Sequence, residues 1–184
     1  FNAALFGDDG IIASKSVNVN SEEISSICFE NLKVDEWSAE NPKLYTLVLS
    51  LSLDGKVIQL IRHNVGFKHI RITGNVFTFN NKNIKLLGVN HHDTNPKTGY
   101  AMTVEDMEKD VSIFKQYNVN CVRTSHYPPE PTFLDLCDEY GVYVIDEADI
   151  ETHGCEVEMH KPGACSHNEM WQPRYWDRVL RMFE

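Results

Sequence analysis

The chain has 184 residues, 42% hydrophobic and 24% charged, which is the composition of an ordinary globular protein with room for one domain or two small ones. Its net charge of -10 argues against nucleic acid or an anionic membrane as a partner, because the long-range field repels phosphate groups. A neutral or cationic ligand fits this charge better. No run approaches the roughly 18 apolar residues that span a bilayer, so we expect a soluble protein.

The five cysteines and the two ends of the chain carry further expectations. The cysteines are odd in number and mostly lie in apolar surroundings, which indicates reduced thiols and a cytoplasmic protein. The chain has neither an initiator Met nor a charged leader, and its last helical face has no stop signal after it. We therefore expect a fragment of a longer protein.

Residues 1–66 follow a period of two, which is typical of β-strands. Apolar and polar residues alternate along LYTLVLSLSL (44–53), and Asp54-Gly55 supplies a two-residue hairpin turn. FGDDGII (6–12) indicates another turn, and SVNVN (16–20) and ISSICFENLKV (24–34) indicate further short strands. This pattern predicts an antiparallel β-sandwich of immunoglobulin-like type, without its first strands because such domains have about 100 residues.

Beyond a hairpin with its turn at residues 80–83, strands and helices alternate. The predicted strands are IKLLGV (84–89), CVRTS (121–125) and VYVI (142–145). A helix begins after Thr103, with Asp106 completing a capping box, and a second helix ends at Gly141. A long loop and a helix opened by Pro173 follow. Near-continuous apolar strands with helical crossovers predict a parallel sheet, either doubly wound or the start of an eight-stranded barrel.

Polar side chains follow each of these three strands. The carboxyl ends of parallel strands share one face, where ligands bind, so the termini GVNHHD, RTSHYPP and DEADIETHG converge. Taken singly, a histidine beside a turn is more often a surface or capping residue, and Arg123 within a strand is explained by a structural ion pair. Their alignment favours a functional site, whose candidates are Asn90, His91, His92, Asp93, Arg123, Ser125 and His126.

Within DEADIETHG, Glu151 and His153 are two residues apart, so in extended backbone both side chains point the same way. A carboxylate and an imidazole favour Mg²⁺, Mn²⁺ or Zn²⁺ without deciding among them, and two ligands do not complete a site. Asp146 and Glu147 are expected to serve as a strand-end cap and as a partner for Arg123.

Cys155, His160, Cys165 and His167 invite a zinc interpretation, but their spacings match no standard ligand pair. We therefore predict that this segment is an ordinary loop.

Three stretches resemble glycoside hydrolase family 2, and specifically its bacterial β-galactosidases. They are WSAENPKLYTLVLSL (37–51), LLGVNHHDTNPKTGYAM (86–102) and NVNCVRTSHYPPEPTFLDLCDEYGVYVIDEADIETHG (118–154). The resemblance implies an immunoglobulin-like sandwich at residues 1–66 and the start of a (β/α)8 barrel, about three βα units, at residues 67–184. It therefore selects the barrel over the doubly wound sheet.

The resemblance implies retaining hydrolysis of terminal β-D-galactosides such as lactose, through a covalent galactosyl-enzyme and two glutamates. His92 and His126 match residues that contact the sugar and stabilise the transition state, Arg123 matches an arginine that orients the nucleophile, and Asn90 lies on the same rim. Glu151 and His153 match Mg²⁺ ligands, with Na⁺ as a further ion of the full-length enzyme. The full-length relative is expected to be a homo-oligomer.

The sequence departs from the family in one decisive respect. The family's acid/base glutamate stands in a Gly-Asn-Glu motif on a later barrel strand, and no Gly-Asn-Glu occurs here. We expect the chain alone to be inactive, since neither the acid/base nor the nucleophile is present. His91 also replaces an arginine common in relatives, and Asp93 stands where glutamate is also found.

Three alternatives remain open on the sequence. Relatives in the same family cleave β-glucuronides or β-mannosides. The second alternative is a non-catalytic binding or structural module, with exposed strand edges that favour association. The third alternative is a metallohydrolase using His92, His126, Glu151 and His153 around one ion.

Overall fold

The computed structural model describes residues 1–20 and 24–183, which divide by their contacts into two compact units, 1–85 and 86–184. In the first unit the strands are β1 (Asn2–Gly7), β2 (Gly10–Ser16), β3 (Tyr45–Leu53), β4 (Lys56–Val65), β5 (Ile70–Thr73), β6 (Val76–Phe79) and β7 (Lys82–Asn83). In the second unit the elements are β8 (Gly88–His91), α1 (Val104–Gln116), β9 (Cys121–Thr124), α2 (Pro131–Tyr140), β10 (Tyr143–Ile145), α3 (His153–Met159) and α4 (Gln172–Phe183). The domain boundary expected at residues 66/67 stays a prediction.

The first unit is built from antiparallel β-strands, as the alternating pattern predicted. One sheet has the order β2-β1-β3-β4, and a second has the order β5-β6-β7. Asp54 and Gly55 both have positive φ, 50° and 77°, which is the backbone that joins two strands in the shortest hairpins. The later turn is shorter than predicted, because Asn80 and Asn81 make it alone and Lys82–Asn83 already pairs with β6.

The strand predicted at residues 24–34 is wrong. This segment has no regular secondary structure, yet Ile27, Phe29 and Leu32 line an apolar cavity of about 490 Å³ together with Ala3 and Leu5 of β1. The segment thus covers the sheet with side chains and leaves its own backbone outside the ladder. Its apolar residues reflect that burial and not strand pairing.

The second unit contains the predicted parallel sheet, in the order β10-β9-β8. The first of its strands begins at Gly88 and not at Ile84. Gly88 pairs with Cys121, the first residue of β9. The residues before Gly88 therefore lie beyond the end of β9 and do not extend the ladder. Instead, Asn120 donates its backbone N–H to the Leu87 carbonyl and accepts the Leu87 N–H on its side-chain oxygen.

The start of α1 and the end of α2 fall where the sequence signals predicted. Thr103 and Asp106 form the reciprocal capping box of α1, and hydrogen bonds from the Thr103 backbone and hydroxyl lower the pKa of Asp106. Gly141 ends α2 in the left-handed region, with φ of 75°. The two helices pack their apolar faces together with the sheet, and the core consists of Met107, Val111, Phe114, Val122, Phe133, Leu136, Cys137 and Val142.

The segment after β10 is more regular than the long loop predicted for it. Residues 153–159 form α3, and a short 3-10 turn (Glu169–Trp171) precedes α4, in which Pro173 is the second residue. Trp176, Leu180 and Phe183, which recur at helical spacing on α4, are exposed. Within the described residues, every helix is too short or too polar to cross a membrane.

Candidate active site

The ends of β8, β9 and β10 bring the predicted residues together. Asn90 lies directly opposite Arg123, and Ile145 of β10 lies opposite Arg123 on the other side. In a parallel sheet, residues in register point to the same face, so Asn90 and Arg123 share one side. The polar residues that follow each strand therefore meet at one edge of this sheet, as expected from the sequence.

Arg123 is the centre of this edge. Its Nε donates to Oε1 of Glu147 at 2.5 Å, and its Nη2 forms an ion pair with the same oxygen. Its Nη1 donates to Oδ1 of Asn90 at 3.3 Å. The guanidinium thus connects β8, β9 and the residues after β10, and the predicted pairing of Arg123 with Glu147 is confirmed.

His126 is held by the same two charged groups. Its Nδ1 lies 3.1 Å from Oε2 of Glu147 and 3.3 Å from Nη2 of Arg123. When Nδ1 carries the proton it donates to Glu147 and leaves Nε2 as an acceptor; when Nδ1 is bare it accepts from Arg123. Glu147 therefore supports both Arg123 and His126 with one carboxylate.

The two adjacent histidines of β8 and the loop after it have different surroundings. His92 is exposed and lies edge-on to the His126 ring, with 5.6 Å between ring centroids, so it belongs to the site. His91 lies against the crossover helices, stacks on Phe133 at 4.5 Å and places Nε2 3.0 Å from Oδ2 of Asp110. Because successive side chains of a strand point to opposite faces, His91 belongs to the core.

Several residues at this edge have roles that the sequence pattern did not reveal. Thr124 donates its hydroxyl to Asp146 at 3.1 Å and accepts the Glu147 N–H at 3.0 Å, which fixes Glu147 beside Arg123. The Ser125 hydroxyl donates to the His91 carbonyl at 3.1 Å. In the sequence, only the position of these residues at the strand ends indicated a role. That position does not distinguish a residue that holds its neighbours in place from one that contacts a bound molecule.

Asp93 also supports the edge, through hydrogen bonds to the residue that caps α2 and to Tyr127. It is buried, and its Oδ2 accepts the N–H of Glu130, the residue that caps α2. Its own N–H donates to the Tyr127 hydroxyl at 3.2 Å. Burial raises the pKa of Tyr127, so this hydroxyl stays protonated at neutral pH. These bonds fasten the segment after β8 to the start of α2.

A polar recess of about 300 Å³ opens at the edge, lined by Arg123, His126, Asp146, Glu147, Ala148, Ile150 and Glu151. Its size is at the lower end for ligand pockets, which span about 300–1,000 Å³. Carboxylates, a guanidinium and an imidazole together offer both donors and acceptors for hydroxyl groups. Such a lining is suited to a small polyol.

The metal pair Glu151 and His153 is arranged differently from the expectation. The backbone there is not extended, because His153 is the first residue of α3, and Oε1 of Glu151 accepts the His153 N–H at 2.6 Å. The other oxygen of Glu151 lies 3.8 Å from Nδ1 of His126. In the part of the chain that the structure describes, no three His, Cys, Asp or Glu side chains are grouped to hold an ion. The described residues thus provide one carboxylate that suits a metal ion, and they do not provide a complete set of ligands.

The same finding bears on the two metal alternatives. Neither the group of Cys155, His160, Cys165 and His167 nor the group of His92, His126, Glu151 and His153 forms a ligand cluster among the described residues. The loop predicted for residues 155–169 is partly wrong, since Cys155 lies in α3.

Comparisons with known proteins identify the family of this chain. The sequence model described as "Glycosyl hydrolases family 2, TIM barrel domain" matches residues 70–184, and "Glycosyl hydrolases family 2" matches residues 7–68. This chain belongs to glycosyl hydrolase family 2. The predicted family membership is therefore confirmed, and β8, β9 and β10 are strands of its barrel domain.

Known proteins are similar to this chain in sequence and in structure. A β-galactosidase of Streptococcus thermophilus is 42% identical over 96% of this chain and 18% of its own length. A family 2 member from Bacteroides cellulosilyticus has a TM-score of 0.70 and 28% identity, covering 79% of this chain and 21% of its own. A β-D-glucuronidase of Dictyoglomus thermophilum has a TM-score of 0.68 and 26% identity, covering 80% and 24%. The chain thus spans about a fifth of the length of these relatives.

Proposed function

We propose that the whole protein containing this chain is a retaining β-galactosidase that hydrolyses terminal β-D-galactosides such as lactose. The observation that carries the proposal is the position of Arg123 and His126 in the lining of one recess, with Asn90 bonded to Arg123 and His92 beside His126. The 42% identity to a β-galactosidase over nearly the entire chain supports the same substrate class. Its family 2 fold is proposed in full as an immunoglobulin-like sandwich followed by a (β/α)8 barrel.

In this proposal the described residues bind and orient the sugar. His92 and His126 contact hydroxyl groups of the sugar and hold them as charge develops on the ring. Arg123, fixed by Glu147 and Asn90, presents its remaining N–H groups to the nucleophilic carboxylate. The acid/base and nucleophilic glutamates of such a reaction are assigned to other parts of the protein, and no carboxylate described here takes either role.

The charge of the recess favours a galactoside over a glucuronide. Asp146, Glu147 and Glu151 face it with three carboxylates, whereas Arg123 is the one permanent cation among its lining residues and is paired with Glu147. A glucuronide adds a carboxylate to the sugar, which this lining repels. Three carboxylates and one guanidinium leave two negative charges in the lining, which a bound Mg²⁺ only neutralises.

The test is a comparison of substrates. The whole protein is expected to hydrolyse a nitrophenyl β-galactoside with a kcat/KM at least about 100-fold above that for the β-glucuronide. The purified 184-residue chain, assayed in parallel at equal molarity, is expected to release no nitrophenol above the buffer rate. Preference for the glucuronide contradicts the substrate assignment, and turnover by the isolated chain contradicts the assignment of the catalytic glutamates to other segments.

We also propose that Glu151 and His153 are the contribution of this chain to a Mg²⁺ site. Support comes from the exposed carboxylate of Glu151 beside His126, and from the preference of Mg²⁺ for one or two protein carboxylates with several waters. When bound, the ion adds positive charge next to His126. The residues themselves orient that edge of the recess, because Glu151 also caps the first N–H of α3.

Metal analysis of the whole protein after dialysis checks this site. We expect the wild type to retain close to one Mg²⁺ per chain. We expect Glu151→Gln to bind Mg²⁺ at least about tenfold more weakly. Asp149→Asn is the matched control, since the Asp149 carboxylate accepts from Arg178 on α4 and lies outside the pair. Equal Mg²⁺ retention in Glu151→Gln and Asp149→Asn removes Glu151 from the ligand set.

Location and assembly complete the proposal. All five cysteines are thiols and not disulfides, which supports a reducing compartment such as the cytoplasm. Homo-oligomerisation and the Na⁺ of the full-length protein stay predictions.

A further inference from the structure

Two thiols of the second unit touch each other close to the candidate active site. Cys155 lies in the first turn of α3, and Cys165 lies ten residues later, with its sulfur 2.7 Å from that of Cys155. Cys155 is partly exposed, whereas Cys165 is only 1% exposed. This separation exceeds the length of a disulfide bond, about 2.05 Å, by less than about 1 Å. A zinc site built on these two cysteines would need a third ligand, and none is grouped with them among the described residues.

We propose that Cys155 and Cys165 form a redox-modification site, which closes to an intramolecular disulfide by exchange with a low-molecular-weight disulfide of the glutathione type. The thiolate of Cys155 attacks one sulfur of the small disulfide, and one thiol leaves. The thiolate of Cys165 then attacks the Cys155 sulfur of the mixed disulfide, and the second thiol leaves. Two protein thiols are oxidised, one small disulfide is reduced to two thiols, and the two protons go to the leaving groups.

The accessibility of the two sulfurs sets the order of these steps. Exchange needs an attacking thiol that the small disulfide can reach, and Cys155 meets this condition. Cys165 is buried against it and serves as the resolving thiol, because the mixed disulfide forms within its reach. The mechanism therefore assigns different behaviour to the two cysteines, which separate variants distinguish.

The remaining cysteines do not compete for this role. Burial raises the pKa of Cys137 to about 12 and also raises the pKa of Cys121, so both stay protonated at neutral pH. Cys28 is exposed but belongs to the first unit, where no second cysteine is present. A disulfide of Cys155 with Cys165 is thus the one pairing that the described geometry prepares.

The cross-link would act on the edge of the recess. It closes a loop that begins two residues after His153, the residue at which α3 starts. The first N–H of this helix is held by Glu151, which lines the recess. Oxidation therefore restricts α3 itself, the helix whose first N–H Glu151 accepts. The proposal itself concerns the two sulfurs and is independent of which glycoside the protein hydrolyses.

The experiment uses the chain with Cys28→Ser, which removes the exposed thiol that would otherwise collect an adduct. The folded protein is incubated with oxidised glutathione, acid-quenched, alkylated in denaturant and cleaved after glutamate. We expect the peptide THGCE (152–156) to be joined by a disulfide to MHKPGACSHNE (159–169), and free thiols to fall from four to two. Dithiothreitol is expected to restore all four.

Two further variants in the same background test the roles of the sulfurs. Cys165→Ser is expected to retain a stable glutathione adduct on Cys155, because the resolving thiol is gone. Cys155→Ser is expected to take up no adduct on buried Cys165. If the substitution at Cys165 prevents folding, the peptide map of the Cys28→Ser chain decides alone. Four unmodified thiols, a lasting adduct on Cys155 despite the presence of Cys165, or a link to another cysteine each overturn the proposal.

Discussion

Replacement of Arg123 with lysine in the whole protein is expected to lower kcat/KM for a nitrophenyl β-galactoside by at least about 100-fold. The guanidinium reaches Asn90 through one nitrogen and Glu147 through two others, and an ammonium group cannot make this fork of bonds. Lysine keeps the positive charge but loses the geometry that aims the remaining donors. Most of the loss is expected in kcat, since the residue acts through orientation.

The effect of Arg123→Lys must be separated from a loss of folding. Arg181→Lys is the matched control, because Arg181 pairs with Asp177 on the exposed surface of α4. It is expected to leave kcat/KM within about twofold of wild type. Thermal unfolding of each variant reports the folded fraction, and kcat is expressed per folded molecule. A kcat/KM for folded Arg123→Lys within about threefold of wild type would show that Arg123 is a structural ion pair only.

Glu147→Gln gives an independent view of the same network. Glutamine keeps the shape of the side chain but removes the charge that holds Arg123 and His126 together. An orienting role predicts that kcat falls in both Glu147→Gln and Arg123→Lys, and that the double variant is little worse than either single one. Additive losses would show that the two residues act separately.

The parts of this structure that the sequence predicts well are those decided by neighbouring residues. Thr103 and Asp106 satisfy each other's backbone donors within one turn, and Gly141 supplies the left-handed residue that ends α2. Neither feature depends on distant packing, so local pattern is sufficient. The convergence of Asn90 and Arg123 was also predictable, since parallel strands bring their carboxyl ends to one edge.

The parts that it predicts poorly depend on what a segment packs against. The apolar residues of segment 24–34 are needed to cover β1, and the pattern does not distinguish a covering coil from a paired strand. The first residue of β8 is set by the first residue of its partner β9, which lies more than 30 residues away. Similarly, α3 begins where Glu151 accepts a backbone N–H, and this places His153 in a helix and not in extended chain.

The histidine pair after Asn90 shows how the two kinds of information combine. Strand alternation implies that His91 and His92 face opposite sides of the sheet, and this can be inferred from the sequence alone. It does not say which of the two sides is the core. That choice depends on the crossover helices, which place Phe133 and Asp110 against His91 and leave His92 beside His126.

Replacement of Phe133 with alanine is expected to lower the free energy of unfolding of the second unit by about 3–5 kcal/mol. Phe133 has no exposed surface, and the substitution leaves a cavity between α2 and the sheet. This loss is a large part of the roughly 5–15 kcal/mol that stabilises a typical domain. Urea unfolding followed by the helical circular dichroism signal measures it, since every described α-helix lies in the second unit.

The matched control is Phe183→Ala, which removes the same side chain from an exposed position on α4, where Phe183 is 79% exposed. It is expected to change the unfolding free energy by no more than about 0.5 kcal/mol. Equal losses in the two variants would contradict the assignment of the core to the face between α2 and the sheet.

The consequences of Phe133→Ala extend beyond the cavity. The ring of Phe133 stacks on His91, whose carbonyl accepts the Ser125 hydroxyl next to His126. Loss of the stack leaves the His91 ring with its contacts to Asp110 and Phe114 and weakens the anchor of this carbonyl, so the end of β9 loses support as well. Phe133→Leu keeps most of the volume and is expected to cost less than Phe133→Ala, while still losing the stack. Activity that falls in the folded leucine variant of the whole protein would show that His126 is positioned from the core as well as from Glu147.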